Sequence, residues 1–219
     1  MSTPAARDTT TLFLVRLGIA IPFLYFGWQL LAAPHYPDYS FVRNVASELG
    51  SDRSRAAFWF NWGMMLQGVL ALLTSIGFFR ALPHFTPSRI LVWLTSLAIA
   101  MNGVQTLWAG YYPMPDPRHG GHPVFIIFML SLPFLLTLVL WKPGSRLLRI
   151  YLAGTLVLLF LMMPLMSGLA GPNVNQLYRG LFQRLFVLTV FPPIGVSAYL
   201  LQRAICYRTS FPTSQSAPG

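Results

Sequence analysis

The chain has 219 residues, of which 55% are apolar and only 9% charged. A soluble domain carries about a quarter charged residues, so this composition excludes a water-soluble globular protein, and the length leaves no room for a second domain beside membrane spans. The net charge of +10 comes from 14 Arg and one Lys against five acids, but these bases are scattered at the ends of apolar runs, which speaks against nucleic acid and for topology signals and lipid headgroups.

Six runs can cross a ~30 Å hydrocarbon core, at roughly 12–33, 56–79, 90–110, 123–141, 150–170 and 183–202. The expected fold is an all-α, polytopic transmembrane bundle of six helices. Its expected parts are an N-terminal tail 1–11, a membrane domain 12–202 and a largely disordered tail 203–219 rich in Ser, Thr and Pro. Arg7 and Arg16 ahead of the first run, with Leu31-Ala32-Ala33 at its end, imitate a secretory signal. The run's length, its internal Trp28 and Gln29, and the five further spans favour an uncleaved helix.

Basic residues in the short loops set the expected orientation. The side of the N-terminus holds eight, or nine with Arg16, and the opposite side holds six, so the positive-inside rule places both termini in the cytoplasm of a plasma (inner) membrane protein. Four of the five acids, Asp38, Glu48, Asp52 and Asp116, and three of the four histidines, His35, His119 and His122, fall on the other, outer side.

Between the first two spans, Asp38 or Ser40 can cap a short amphipathic helix with Phe41, Val45 and Leu49 on one face and Asn44, Ser47 and Glu48 pointing elsewhere, stopped by Gly50. Asp52 or Ser51 can then cap the second span. Prolines inside the spans at Pro22, Pro133, Pro164 and Pro192-Pro193 predict kinks, and Gly63, Gly68, Gly103 and Gly110 permit close helix packing. The lone Cys206 excludes an internal disulfide and any CxxC motif.

Two further outer stretches carry chemistry. In Asp116-Pro117-Arg118-His119-Gly120-Gly121-His122, a carboxylate and two imidazoles stand within seven residues, and Glu48 or His35 would complete a set of divalent-metal ligands; the spacing lacks the helical HExxH pattern and favours a metal-free loop with a helix-initiating His-Pro. In Gln176-Leu177-Tyr178-Arg179-Gly180-Leu181-Phe182-Gln183-Arg184, helical spacing puts Gln176, Gly180 and Arg184 on one stripe. Arg184 then either holds an anionic group of a substrate or pairs with Glu48, Asp52 or Asp116. Asn61, Gln67, Asn102 and Gln105 are uncharged polar residues that line the same cavity or hydrogen-bond between helices.

Ser47-Glu48-Leu49-Gly50, then Phe58-Trp59-Phe60-Asn61-Trp62-Gly63, the His119-Gly120 turn and Gly180-Leu181-Phe182-Gln183-Arg184 together resemble the bacterial and archaeal domain-of-unknown-function family 998. The resemblance covers essentially the whole membrane domain. A more distant similarity is to the six-span Frag1/DRAM/Sfk1 group, whose Ile-Ser-Asp-x-Gly-type motif corresponds here to Ala46-Ser47-Glu48-Leu49-Gly50. That second resemblance implies membrane lipids as partners.

The leading expectation is an outward-facing polar pocket that binds or processes a lipid or other amphipathic substrate. Glu48, His119 and Asp116 are its candidate catalytic residues, Arg184, Asn61, Gln105 and Ser47 its substrate contacts, and His119 and His122 its metal ligands. The alternatives are a non-catalytic structural or accessory membrane protein and, third, a small transporter, which the absence of a mid-membrane acid disfavours.

Overall fold

The computed structural model describes residues 4–169 and 171–210, with side chains for 9–169 and 171–207. All regular structure among these residues is helical: α1 (Pro4–Ala32), α2 (Ala57–Ala81), α3 (Arg89–Tyr111), α4 (Pro123–Leu140), α5 (Arg146–Met166), α6 (Pro172–Val187) and α7 (Phe191–Ser210), with short 3-10 turns between. Six segments are long and apolar enough to span a membrane, the sixth running through α6 and α7 from Pro172 to Tyr207.

The chain is a membrane bundle turned inside out relative to a soluble one. Lipid is as apolar as leucine, so the outer surface keeps its large apolar side chains, among them Phe23, Trp59, Ile90 and Leu147, each more than 60% exposed. The inside holds small and polar residues beside Ile21, Phe78, Ile99, Leu132 and Ile194. Gln67, Thr74, Thr95 and Ser197 are completely buried, and their side-chain polar atoms find no partner among the described residues.

Close approach explains the small residues. A Cβ added to Gly68 would lie 2.7 Å from the Gly103 carbonyl, and one added to Gly103 would lie 2.8 Å from the Gly68 carbonyl, so the two backbones touch. Here α2 packs on α3, its most extensive neighbour. On its other side α2 meets α1, which in turn packs on α7, and α4 lies against α3.

Three boundaries differ from the sequence reading. Helix extends into both expected tails, since α1 begins at Pro4 and α7 runs through Ser210; residues 211–219 lie outside the described residues. The sixth span starts at Pro172 rather than near 183 and is interrupted at 188–190, directly before Pro192-Pro193. Neither proline has a backbone N–H to donate backwards into a continuous helix, and the chain closes the gap with tight bonds from Thr189 N to Phe186 O and Val190 N to Val187 O. At Pro22, Pro133 and Pro164, by contrast, the helices continue.

The third difference is the outer helix between the first two spans. It is the five-residue 3-10 helix Ala46–Gly50, preceded by a turn closed by Asn44 N to Ser40 O. Its buried face holds Ala46 and Leu49 together with the Glu48 carboxylate. A bent carboxylate explains the shortening: Glu48 reaches back to the Val45 N–H, which a longer α-helix would have used internally. The second span has no side-chain cap; Ser51 instead donates to the Glu48 carbonyl.

Candidate functional site

The polar residues of the 36–50 segment and of α6 meet at one end of the bundle, the end of the α1–α2, α3–α4 and α5–α6 connections. Glu48 is 8% exposed, and its carboxylate accepts four hydrogen bonds. Oε1 takes the Val45 N–H at 3.1 Å and Arg179 at 2.8 Å, while Oε2 takes the Asn44 amide at 2.7 Å and the Tyr36 hydroxyl at 3.2 Å. An ionised carboxylate offers about four lone-pair positions, and all are used. Burial, reinforced by the Glu48 charge, pushes the Tyr36 hydroxyl up from its ordinary value, which keeps it a donor at neutral pH.

Arg184 does not pair with Glu48. Its Nη1 donates to the carbonyls of Phe41 (2.8 Å), Asn44 (2.9 Å) and Gly180 (2.9 Å), its Nη2 meets the Tyr39 hydroxyl, and its plane lies against the Phe41 ring. The guanidinium therefore ties off the carbonyls left open where the 40–44 turn ends, while Arg179 supplies the counter-charge. Gln183 accepts from Ala46 N at 2.7 Å, and Leu181 N donates to Val42 O. A side chain at Gly180 would run into the Phe41 and Asn44 carbonyls, so only glycine lets α6 lie this close.

Helical spacing explains why α6 serves as the platform. Residues 179, 180, 183 and 184 repeat at i, i+1, i+4 and i+5 and form one face of the helix. Arg179, Tyr36, Asn44, Tyr39 and Gln183 are the participants the sequence reading passed over. The i, i+4 pairs Asn44–Glu48 and Arg179–Gln183 were the available signal, although neither announces which partner it meets.

Asn61 joins this cluster from α2, donating to the Gly50 carbonyl at 2.9 Å, and Ser47 lies within it without a side-chain hydrogen bond. The other candidates belong to a second, separate turn. Asp116 forms a two-pronged ion pair with Arg118 at 2.7 and 2.9 Å, which holds its carboxyl down at about 2. His119 Nδ1 contacts the Tyr112 carbonyl at 2.8 Å, His122 caps the N-terminus of α4, and Gln105 reaches the Gly120 carbonyl at 3.4 Å. No hydrogen bond or ion pair joins this turn to the Glu48 cluster, and among the described residues no three metal-competent side chains converge. The hydrogen bonds of Glu48 and Arg184 and those of Asp116, His119 and His122 thus form two networks among the described residues.

A different kind of site lies in the membrane region. A cleft of about 910 Å³ runs between α1, α5 and α7, walled by Pro22, Phe23, Gly27, Leu148, Gly195 and Tyr199 among others. Its lips are exposed on the lipid-facing surface: Phe23 is 75% exposed and Leu147 79%. Nothing charged lines it.

The fold and these sites define a multi-pass membrane protein of the helical-bundle class. The family described as protein of unknown function, DUF998, matches residues 19–198, and the chain belongs to it. Comparison with curated proteins and with solved structures finds no match.

Proposed function

We propose that this protein binds a membrane lipid without turning it over. The observation that carries the reading is the apolar cleft between α1, α5 and α7, whose volume of about 910 Å³ is at the upper end of the usual ligand-pocket range and which opens sideways to the bilayer. The Glu48 carboxylate supports binding over turnover. A general base needs a lone pair free for the substrate proton, and this one has spent all of its acceptor positions on the chain. Arg184 likewise spends Nη1 on three carbonyls and Nη2 on the Tyr39 hydroxyl, leaving the buried Nε as its one unpartnered donor among the described residues. Glu48, Arg179 and Arg184 act instead as a clasp that fastens the α1–α2 connection to α6. The basic residues at the opposite end orient both termini toward the cytoplasm of the plasma membrane.

The test is the lipid content of the full-length protein purified in mild detergent. Extraction and mass spectrometry should recover lipid at about one molecule per chain after exhaustive washing. Protein that carries none, yet remains folded, would sink the reading; release of free fatty acid or headgroup from added phospholipid would sink its non-catalytic part.

A further inference from the structure

The walls of the cleft are uncharged, and a cation stands one turn beyond one of its ends. Tyr199, part of the wall on α7, carries Arg203 one turn further along, with the guanidinium 5.9 Å from the ring centroid. Across the cleft the wall includes Ser145, the residue that caps α5, and the adjoining turns bear Lys142, Arg146 and Arg149. A smaller cavity of about 360 Å³ on the other side of α5 is lined by Trp141, Arg146 and Arg149, an aromatic and cationic pairing typical of the membrane–water boundary. Four of the chain's five acids are in the connections at the opposite end, and the fifth, Asp8, is near the start of α1.

The α1 wall from Ile19 to Leu30 is about 16 Å long at the helical rise, close to the depth of one leaflet of a ~30 Å core. An acyl chain matches an uncharged cleft of that length. A neutral lipid, however, would offer no counter-charge to the cation at its end. Resting on the lipid-binding reading above, we propose that the cleft holds an acyl chain of an anionic phospholipid, with the lipid phosphate seated against Arg203 beside the Ser145 end of α5. The charge at the cleft's end selects the headgroup, and the apolar walls hold the chain.

Gly27 offers a clean way to close the cleft. It lines the wall, and a Cβ added there meets nothing within 4 Å, so Gly27→Phe fills the cleft without forcing the helices apart. Gly154 on α5 is equally open and lies outside the cleft, so Gly154→Phe is the matched control. Arg203 is exposed, and Arg203→Gln removes the charge alone.

The experiment is native mass spectrometry of the full-length chain against dioleoylphosphatidylglycerol and dioleoylphosphatidylcholine, with oligomeric state read from the same spectra. Wild type should keep one phosphatidylglycerol in preference to phosphatidylcholine by about tenfold, a difference of about 1.4 kcal/mol. Gly27→Phe should lose both lipids, Gly154→Phe neither, and Arg203→Gln only the preference. Equal retention of the two lipids by wild type overturns the headgroup selection. Retention unchanged in Gly27→Phe overturns the location while leaving lipid binding standing. A change of oligomeric state in Gly27→Phe, with lipid unaffected, identifies the cleft as a protein contact and also overturns the proposal. Wild type that holds no lipid at all defeats the functional reading itself.

Discussion

Removing the Glu48 side chain strands four donors at once, whereas removing Arg179 takes one bond from a carboxylate whose two oxygens each keep a donor. The Arg179 side chain is 48% exposed, so water screens its ion pair and replaces it cheaply. Glu48→Ala should therefore cost about 3 kcal/mol and Arg179→Met about 1 kcal/mol, measured by thermal or denaturant unfolding in detergent. Equal costs would contradict the clasp. The Asp116 carboxyl behaves differently, because it is held at about 2, below its ordinary 3.8, chiefly by the Arg118 side chain and then by the Arg118 backbone N–H. A depressed carboxylate contributes above its unfolded value and loses that contribution as pH falls through the folded one. Chemical shifts of Asp116 should thus titrate near pH 2, and Arg118→Gln, which keeps the backbone N–H, should raise the titration part of the way toward the ordinary range. At this scale the sequence revealed the scarcity of charge at Glu48 but not its partner. The choice between Arg179 and Arg184 depends on which α6 face meets the 40–44 turn, and spacing along one helix cannot decide a contact more than 130 residues away.

The α2–α3 pair depends on glycine at the scale of the element. With backbone oxygens 2.7 and 2.8 Å from the missing Cβ atoms, neither helix can yield by turning a side chain. Gly103→Ala should cost about 1–3 kcal/mol through overpacking, while Gly154→Ala, open on all sides, should be neutral or stabilising by up to about 1 kcal/mol from helix propensity; the two melting temperatures give the comparison. The sequence made these glycines legible as packing sites because a lipid environment rewards small residues at helix contacts. It made the division of the sixth span less legible. Apolar runs mark where a chain can be buried, and the amphipathic stretch from Pro172 to Gln183 falls below that mark although it is helical.

For the whole molecule, the proposed orientation with both termini in the cytoplasm rests on charge outside the spans and is open to direct labelling. In a Cys206→Ser background, a cysteine placed at exposed Asp52 should react with a membrane-impermeant maleimide added to intact cells, and one placed at exposed Arg146 should react only after permeabilisation. The reverse pattern would invert the topology. Hydropathy alone determined that this chain is a six-span helical bundle, since a run of about 20 apolar residues has no other stable home and its backbone must bond internally. Short motifs along it were enough to indicate the family. What only the tertiary structure decided is which polar residues meet and where the chain leaves space. Glu48 takes three of its bonds from its own loop and the fourth from Arg179 on a helix distant in sequence, no hydrogen bond or ion pair among the described residues ties the His119 turn to it, and the cleft arose because α5 and α1 stand apart in front of α7. Voids between helices have no sequence signal of their own, because they are set by the angles at which several packed helices cross rather than by any one helix.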